Sequence, residues 1–217
     1  MEEFNIILAG VGGQGTVLAS EILGTAAVMA GFNVQESEVL GMSQRGGAVV
    51  SHIRFGSKVY GPIVPDGKGD VLVALEISEA LRNMTLLSRQ GLSIVNTRPV
   101  IPYTVSIGIS KYPSLEEIME RLTKYARVIA IDATELAGKA GNVVAVNTVM
   151  LGALAGSGRF PIGRETILKA IEARVNKNVV QVNRKAFMLG YEEVRSTSRA
   201  GRIENLSPQA QTHGRSP

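Results

Sequence analysis

The chain contains no cysteine and no tryptophan. The first absence excludes disulfides, thiolate zinc sites, a cysteine nucleophile and any ordinary iron–sulfur cluster ligated by this chain. Aromatic residues make up only 5% of the 217, so a stacking platform for single-stranded nucleic acid is not evident. The two histidines, His52 and His213, lie far apart, which argues against a histidine-rich metal site. No uncharged apolar run reaches the length that spans a membrane. The opening Met1-Glu2-Glu3 is acidic where a secretory signal would be basic. A cytoplasmic protein is the expectation. The formal net charge is +4, and Arg199, Arg202 and Arg215 against Glu204 supply half of it. The remaining excess is too small to point to nucleic acid.

What is present is an ordinary globular hydrophobic fraction of 45% and 24 glycines. The first glycine cluster is the organising feature. Leu8-Ala9-Gly10-Val11-Gly12-Gly13-Gln14-Gly15-Thr16-Val17 follows an apolar run and opens into a long apolar-rich segment ending at Gly31. That context is strand, glycine turn, helix. Gly10, Gly12 and Gly15 fit G-x-G-x-x-G. In such a turn the first glycine permits a tight bend. The second lets a phosphate or another backbone approach, and the third lets helix and strand pack closely. The amides at the helix start then form an anion site. The alternative is a tight turn that binds nothing.

The rest of the chain alternates strand and helix patterns. Strands are expected at Phe4 to Ala9, Phe32 to Gln35, Val71 to Leu75, Leu92 to Val95, Arg127 to Ile131 and Asn142 to Val146, with an edge strand at Val105 to Ile109. Ala48 to Phe55 alternates, Gly56-Ser57-Lys58 resembles a turn, and Val59-Tyr60 returns; together they predict a β-hairpin inserted after the second strand. Helices are expected from Gly15 to Ala30, where Gly24 suggests close packing, and at Ser78 to Leu87 and Ala133 to Lys139. Another starts at the capping box Ser114-Leu115-Glu116-Glu117. Thr148 to Ala155 is apolar nearly all round, so it is buried in its own core or against another subunit. Thr166 to Val175 and Val182 to Val194 are amphipathic. The expected fold is α/β: a Rossmann-like, doubly wound, mostly parallel sheet with helices on both faces and an inserted β-hairpin. One domain covers residues 1–195, followed by a disordered tail at 196–217. The first glycine turn and Asp132 should lie at the carboxyl edge of the sheet, where such folds bind ligands.

Few residues suggest reactivity. A dinucleotide site would need an acid about 20 residues beyond the turn, and Glu36 and Glu38 fall there. No hydride-transfer constellation accompanies them. Arg45 sits with Ser43 and Gln44 inside a second glycine-rich stretch, Gly41 to Gly47. Its guanidinium suits a phosphate or carboxylate, or is simply solvated. His52 faces the polar side of its strand without an acidic or nucleophilic neighbour in sequence. Asp132, Asn147 and Asn183 are expected to cap helices. The chain thus has the loops of a cofactor protein and no set of groups able to run a reaction.

With these residues in view, the sequence resembles the gamma-type domain of the 2-oxoacid:ferredoxin oxidoreductases, and within it the indolepyruvate branch. The resemblance rests on Gly10-Val11-Gly12-Gly13-Gln14-Gly15, Glu38-Val39-Leu40-Gly41-Met42-Ser43-Gln44-Arg45-Gly46-Gly47, His52-Ile53-Arg54-Phe55-Gly56 and Asn147-Thr148-Val149-Met150-Leu151-Gly152. It runs from about Phe4 to Arg195 and leaves the tail unmatched. It implies a subunit of an enzyme that oxidatively decarboxylates an aryl 2-oxoacid to an acyl-coenzyme A, with ferredoxin taking the electrons. A large (alpha) subunit would hold thiamine diphosphate, Mg2+ and [4Fe-4S] clusters; this chain would hold no cofactor alone and be inactive alone. The partners implied are that large subunit and ferredoxin in a hetero-oligomer, with no nucleic acid and no membrane. The resemblance carries ligand contact to Gly10, Gly12, Gly13, Gln14, Gly15, Ser43, Gln44, Arg45, Gly46 and Gly47, near coenzyme A, with no catalytic residue and no metal ligand. A stand-alone NAD(P)- or flavin-dependent oxidoreductase and a purely structural subunit remain as alternatives.

Overall fold

The computed structural model describes residues 1–41 and 46–199. Six strands form one sheet: β1 (Phe4–Val11), β2 (Asn33–Leu40), β3 (Ala48–Gly56), β4 (Gly69–Ala74), β5 (Leu87–Asn96) and β6 (Arg127–Ile131). Their order is β2-β3-β1-β4-β5-β6. β1, β4, β5 and β6 pair in parallel, whereas β3 runs antiparallel to both β1 and β2. Helix α1 (Thr16–Met29) follows β1, and α2 (Ile77–Asn83) follows β4. The four-residue α3 (Tyr103–Ser106) and α4 (Leu115–Tyr125) lie between β5 and β6. After β6 come α5 (Ala133–Ala140), α6 (Val146–Gly156), α7 (Arg164–Arg174) and α8 (Val180–Arg199).

Alternation along the strands divides the core between two faces. Ile6 and Leu8 of β1, Val71 and Val73 of β4, and Ile53 and Phe55 of β3 pack beneath α1, α5, α6, α7 and α8. Ile7, Ala9, Leu72 and Ala74 face α2 and α4. The central strands are apolar on both sides, as a sheet covered on both faces requires. α6 is the most deeply placed helix. Gly152 and Gly190 let its backbone touch that of α8: a methyl group on Gly152 would stand 2.0 Å from the Phe187 carbonyl oxygen, and one on Gly190 2.0 Å from that of Val149.

Local chemistry sets the helix ends as expected. Ser114 and Glu117 close a capping box on α4, at 3.2 and 2.9 Å. Asp132 caps α5 by accepting from the Glu135 amide at 2.8 Å. Gly24 does mark close packing, because a Glu36 carboxylate oxygen occupies the space its side chain would take.

Several expectations are corrected. The hairpin joins β2 to β3, and Val59-Tyr60 is not a strand. Arg54 instead gathers that connection, donating to the carbonyls of Gly61 and Ile63 and to Glu3. β2 extends to Leu40 despite its glutamates, because an edge strand leaves Glu38 in solvent and Glu36 only partly covered against Gly24. Val105 to Ile109 is α3 and a turn: the alternation has no strand to pair with, and β6 already occupies the edge beside β5. Asn142 to Val146 is a 3-10 turn entering α6, bent by the Asn142 side chain accepting from the Val144 amide. Asn147 and Asn183 lie inside α6 and α8 and cap neither. α8 continues through 196–199, residues assigned to the tail from sequence; the remainder of that tail lies outside the described residues.

Gly152→Ala should destabilise the fold by about 3 kcal/mol in denaturant unfolding, because the methyl meets backbone that cannot yield. His52 makes a second test. Its ring is buried, its Nδ1 accepts from the Val64 amide at 3.3 Å, and burial holds its pKa below the ordinary 6.5. The unfolded chain then binds a proton that the folded chain refuses. Stability should be full above pH 6.5 and fall as pH drops below it. His52→Gln should flatten that slope in unfolding curves recorded from pH 7.5 to about 5.

Candidate functional site at the carboxyl edge of the sheet

The reversed β3 places its own start beside the end of β1. Val11 pairs with Ala48, and the ladder continues into the glycines beyond. The Gly12 amide donates to the Gly47 carbonyl at 2.8 Å, and the Gly46 amide donates to the Gly12 carbonyl at 3.2 Å. The two glycine-rich stretches are therefore one paired unit. What approaches Gly12 is another backbone, one of the two approaches its place in the motif allows. Gly41 is held from the other side, its amide donating to the Ala48 carbonyl at 2.8 Å. Ser43, Gln44 and Arg45 lie outside the described residues.

Gln14 is turned inward. Its Oε1 accepts from the Val11 amide at 2.9 Å and its Nε2 donates to the Leu75 carbonyl at 3.0 Å. Asn96, at the end of β5, donates to the same carbonyl at 3.1 Å and accepts from the Ala133 amide. One carbonyl thus ties together the ends of β1, β4 and β5. Gly15 takes φ +76°, which a side chain rarely adopts, and Asn147 of α6 donates to its carbonyl at 3.2 Å. Thr148 then donates to Asn183 of α8 at 2.6 Å. The turn is anchored through α6 to α8.

Helix α1 starts at this turn with no side-chain cap and no acidic residue in its first turn. Its first amides have no intrahelical acceptor, and no carboxylate of its own first turn offsets the positive end of its dipole. A cleft of about 440 Å³ opens there, lined by Val11, Gly12, Gly13, Thr16, Val17 and Leu40. On the other side of the turn a second cleft of about 700 Å³ is lined by Gln14, Asn96, Arg98, Val100, Lys139 and Val143 among others. Arg98 in it is paired with Asp132 at 2.9 Å and Lys139 with Glu135 at 2.6 Å.

The dinucleotide arrangement is not assembled. β3 separates β1 from the acids of β2. Glu36 lies against Gly24, roughly 13 Å along α1 from its start. Partial burial, with Glu38 and Glu21 nearby, raises the Glu36 pKa, and Arg174 opposes the rise. Glu38 is exposed on the same face. Among the described residues no three His, Asp or Glu side chains form a metal-binding group. No helix among them is long and apolar enough to cross a membrane.

Sequence reasoning missed Glu76. It is buried at the end of β4 and surrounded by donors: the Ser78 amide at 2.9 Å, the Glu79 amide at 3.2 Å, the Val100 amide at 3.3 Å, and the hydroxyls of Ser78 and Tyr112. Burial and the Glu76 carboxylate together push the Tyr112 phenol well above its ordinary value. The available signal was an acid between the strongest apolar run and a helix start, with Ser78 two residues on. Asn96 had no comparable signal.

Residues 5–193 match the family described as pyruvate ferredoxin/flavodoxin oxidoreductase. The chain is 46% identical to the indolepyruvate oxidoreductase subunit IorB of Pyrococcus horikoshii, over 88% of this chain and 95% of that one. It is 32% identical to the pyruvate/ketoisovalerate oxidoreductases common subunit gamma of Pyrococcus furiosus, over 85% and 93%. The pyruvate oxidoreductase subunit PORC of Thermotoga maritima superposes with a TM-score of 0.67 at 26% identity, covering 88% and 97% of the two chains. The same fold recurs in the 2-oxoglutarate:ferredoxin oxidoreductase of Magnetococcus marinus, with a TM-score of 0.69 at 20% identity, where it accounts for 32% of the longer chain.

Gln14→Ala should cost about 1–3 kcal/mol in denaturant unfolding, because it leaves the Val11 amide without its acceptor.

Proposed function

The chain belongs to the pyruvate ferredoxin/flavodoxin oxidoreductase family, and from that membership we propose that it is the small subunit of an indolepyruvate-type 2-oxoacid:ferredoxin oxidoreductase. The observation that carries the reading is the 46% identity to an indolepyruvate oxidoreductase subunit at nearly full length of both chains. The overall reaction converts a 2-oxoacid and coenzyme A to acyl-coenzyme A and CO2. It releases two electrons to ferredoxin and, the 2-oxoacid being ionised, one proton, that of the coenzyme A thiol, to solvent. When bound in the complex, thiamine diphosphate with Mg2+ would supply the electron sink for decarboxylation, and [4Fe-4S] clusters a path to ferredoxin. Cluster thiolates must come from another chain, since this one has no cysteine. A large (alpha) partner subunit and a cytoplasmic location belong to the same reading.

The contribution of this chain is positional. The amides that open α1 have no side-chain cap and lie beside the cleft, which suits an anionic group of coenzyme A or an acidic end of the substrate channel. Gly12, Gly13 and Gly15 keep side chains out of that approach. Gly10 and Gln14 act by shape, Gln14 spending its amide on the turn itself. Gly46 and Gly47 brace the turn by backbone pairing, and Arg45, with Ser43 and Gln44, is assigned to the anion as well. An aryl side chain on the substrate is inferred from the relatives alone.

The test is co-expression with a candidate large subunit. Recovery through this chain should give a brown, thiamine-dependent complex that reduces a viologen dye with indolepyruvate and coenzyme A, and the chain alone should be inactive. A colourless chain that recovers no partner would overturn the reading. Within the complex, Arg45→Ala should raise the KM for coenzyme A by roughly tenfold, the loss of one charge-assisted contact. Unchanged KM and turnover would remove Arg45 from the site.

A further inference from the structure

Residues 97–114 leave the end of β5 and return to α4 as an arm with no fully buried residue, Tyr112 at its foot packing on the core. α3 within it has no buried residue. Val100, Ile101, Tyr103, Ile107 and Ile109 are all exposed, Tyr103 at 76% and Ile109 at 74%. Yet the arm has a defined shape. The amides of Ile107 and Ile109 donate to the carbonyls of Tyr103 and Thr104, and the Ser110 hydroxyl donates to Thr104 at 2.9 Å. Both of its feet are tied to the buried Glu76, one through the Val100 amide and the other through the Tyr112 hydroxyl. A knob held this way, with its apolar side chains outward, has already met much of the ordering cost of binding.

We propose that this arm is a docking element for the large subunit, seating Tyr103 and Ile109 in an apolar groove of that chain. The proposal rests on the subunit reading above and adds to it the surface that makes the contact. Three observations select this occupant. First, the arm is continuous with the glycine turn, since Val100 and Val143 line the same cleft as Gln14, and Val143 and Val144 carry the apolar strip onward. Second, the arm has little charge to attract a lipid surface or nucleic acid: Lys111 is its one lysine, and Arg98 is already paired with Asp132. Third, its apolar surface is on the order of 500 Å², below the roughly 800 Å² per partner of a stable standard interface. It is too small to hold a second copy of this chain by itself, and suits one part of a broader contact that also covers the glycine turn.

The experiment titrates full-length chain onto the immobilised large subunit. Tyr103→Asp with Ile109→Asp should weaken binding at least tenfold while the melting temperature of the isolated chain stays within a few degrees, because both side chains are exposed. Val28→Asp with Met29→Asp, at the far end of α1, should bind as the unaltered chain does. The proposal is overturned by unchanged binding of the arm variant, or by equal weakening from both pairs. It is also overturned if the unaltered chain sediments as a dimer that the arm variant returns to monomer, which would make a second copy the occupant. An unaltered chain that does not bind the large subunit overturns the subunit reading itself, which separates that failure from failure of the arm alone.

Discussion

The carboxyl edge of this molecule depends on one backbone contact, the pairing of Gly12 with Gly46 and Gly47. It exists because β3 runs backwards between β1 and β2. In a sheet of parallel strands alone, the segment before β3 would start at the opposite edge. Reversal brings it to the same edge as the turn after β1. Glycine on both sides lets the two backbones meet without side chains between them, and the antiparallel ladder simply runs on past the last residues of the strands.

Around that contact the polar groups are spent internally. The Leu75 carbonyl takes both Gln14 and Asn96, the Gly15 carbonyl takes Asn147, and Glu76 takes three amides and two hydroxyls. Buried amides and carboxylates satisfied in this way hold geometry and offer no free acid, base or nucleophile. Among the described residues, the Thr16 hydroxyl and the first amides of α1 are left at this edge without a side-chain partner. The relatives of this chain are themselves subunits of oxidoreductases.

The glycine turn, the helix behind it, the capping box at Ser114 and the buried character of α6 were all legible, because each rests on contacts within a few residues of chain. The partner of Gly24 was not. Its glycine announced a close approach, but the approaching group, Glu36, arrives through strand pairing across β3. Glu36 and Glu38 likewise matched the expected separation from the turn for a ribose acid, and the intervening strand carried them away from it. Val105 to Ile109 and Asn142 to Val146 alternate like strands, and alternation alone cannot reveal whether a neighbouring strand is there to receive the hydrogen bonds.

Composition and local pattern by themselves determined the class of fold, the start of α1 at the glycine turn, and the lack of any cysteine thiolate in this chain. These follow from residue types and short-range spacing. Tertiary structure decided that the two glycine stretches form one unit, that Gln14 faces inward, and that Asn147 serves the turn instead of capping its helix. Each of those depends on which strand lies next to which and in what direction, a choice made by burial over the whole sheet and not by any segment of it.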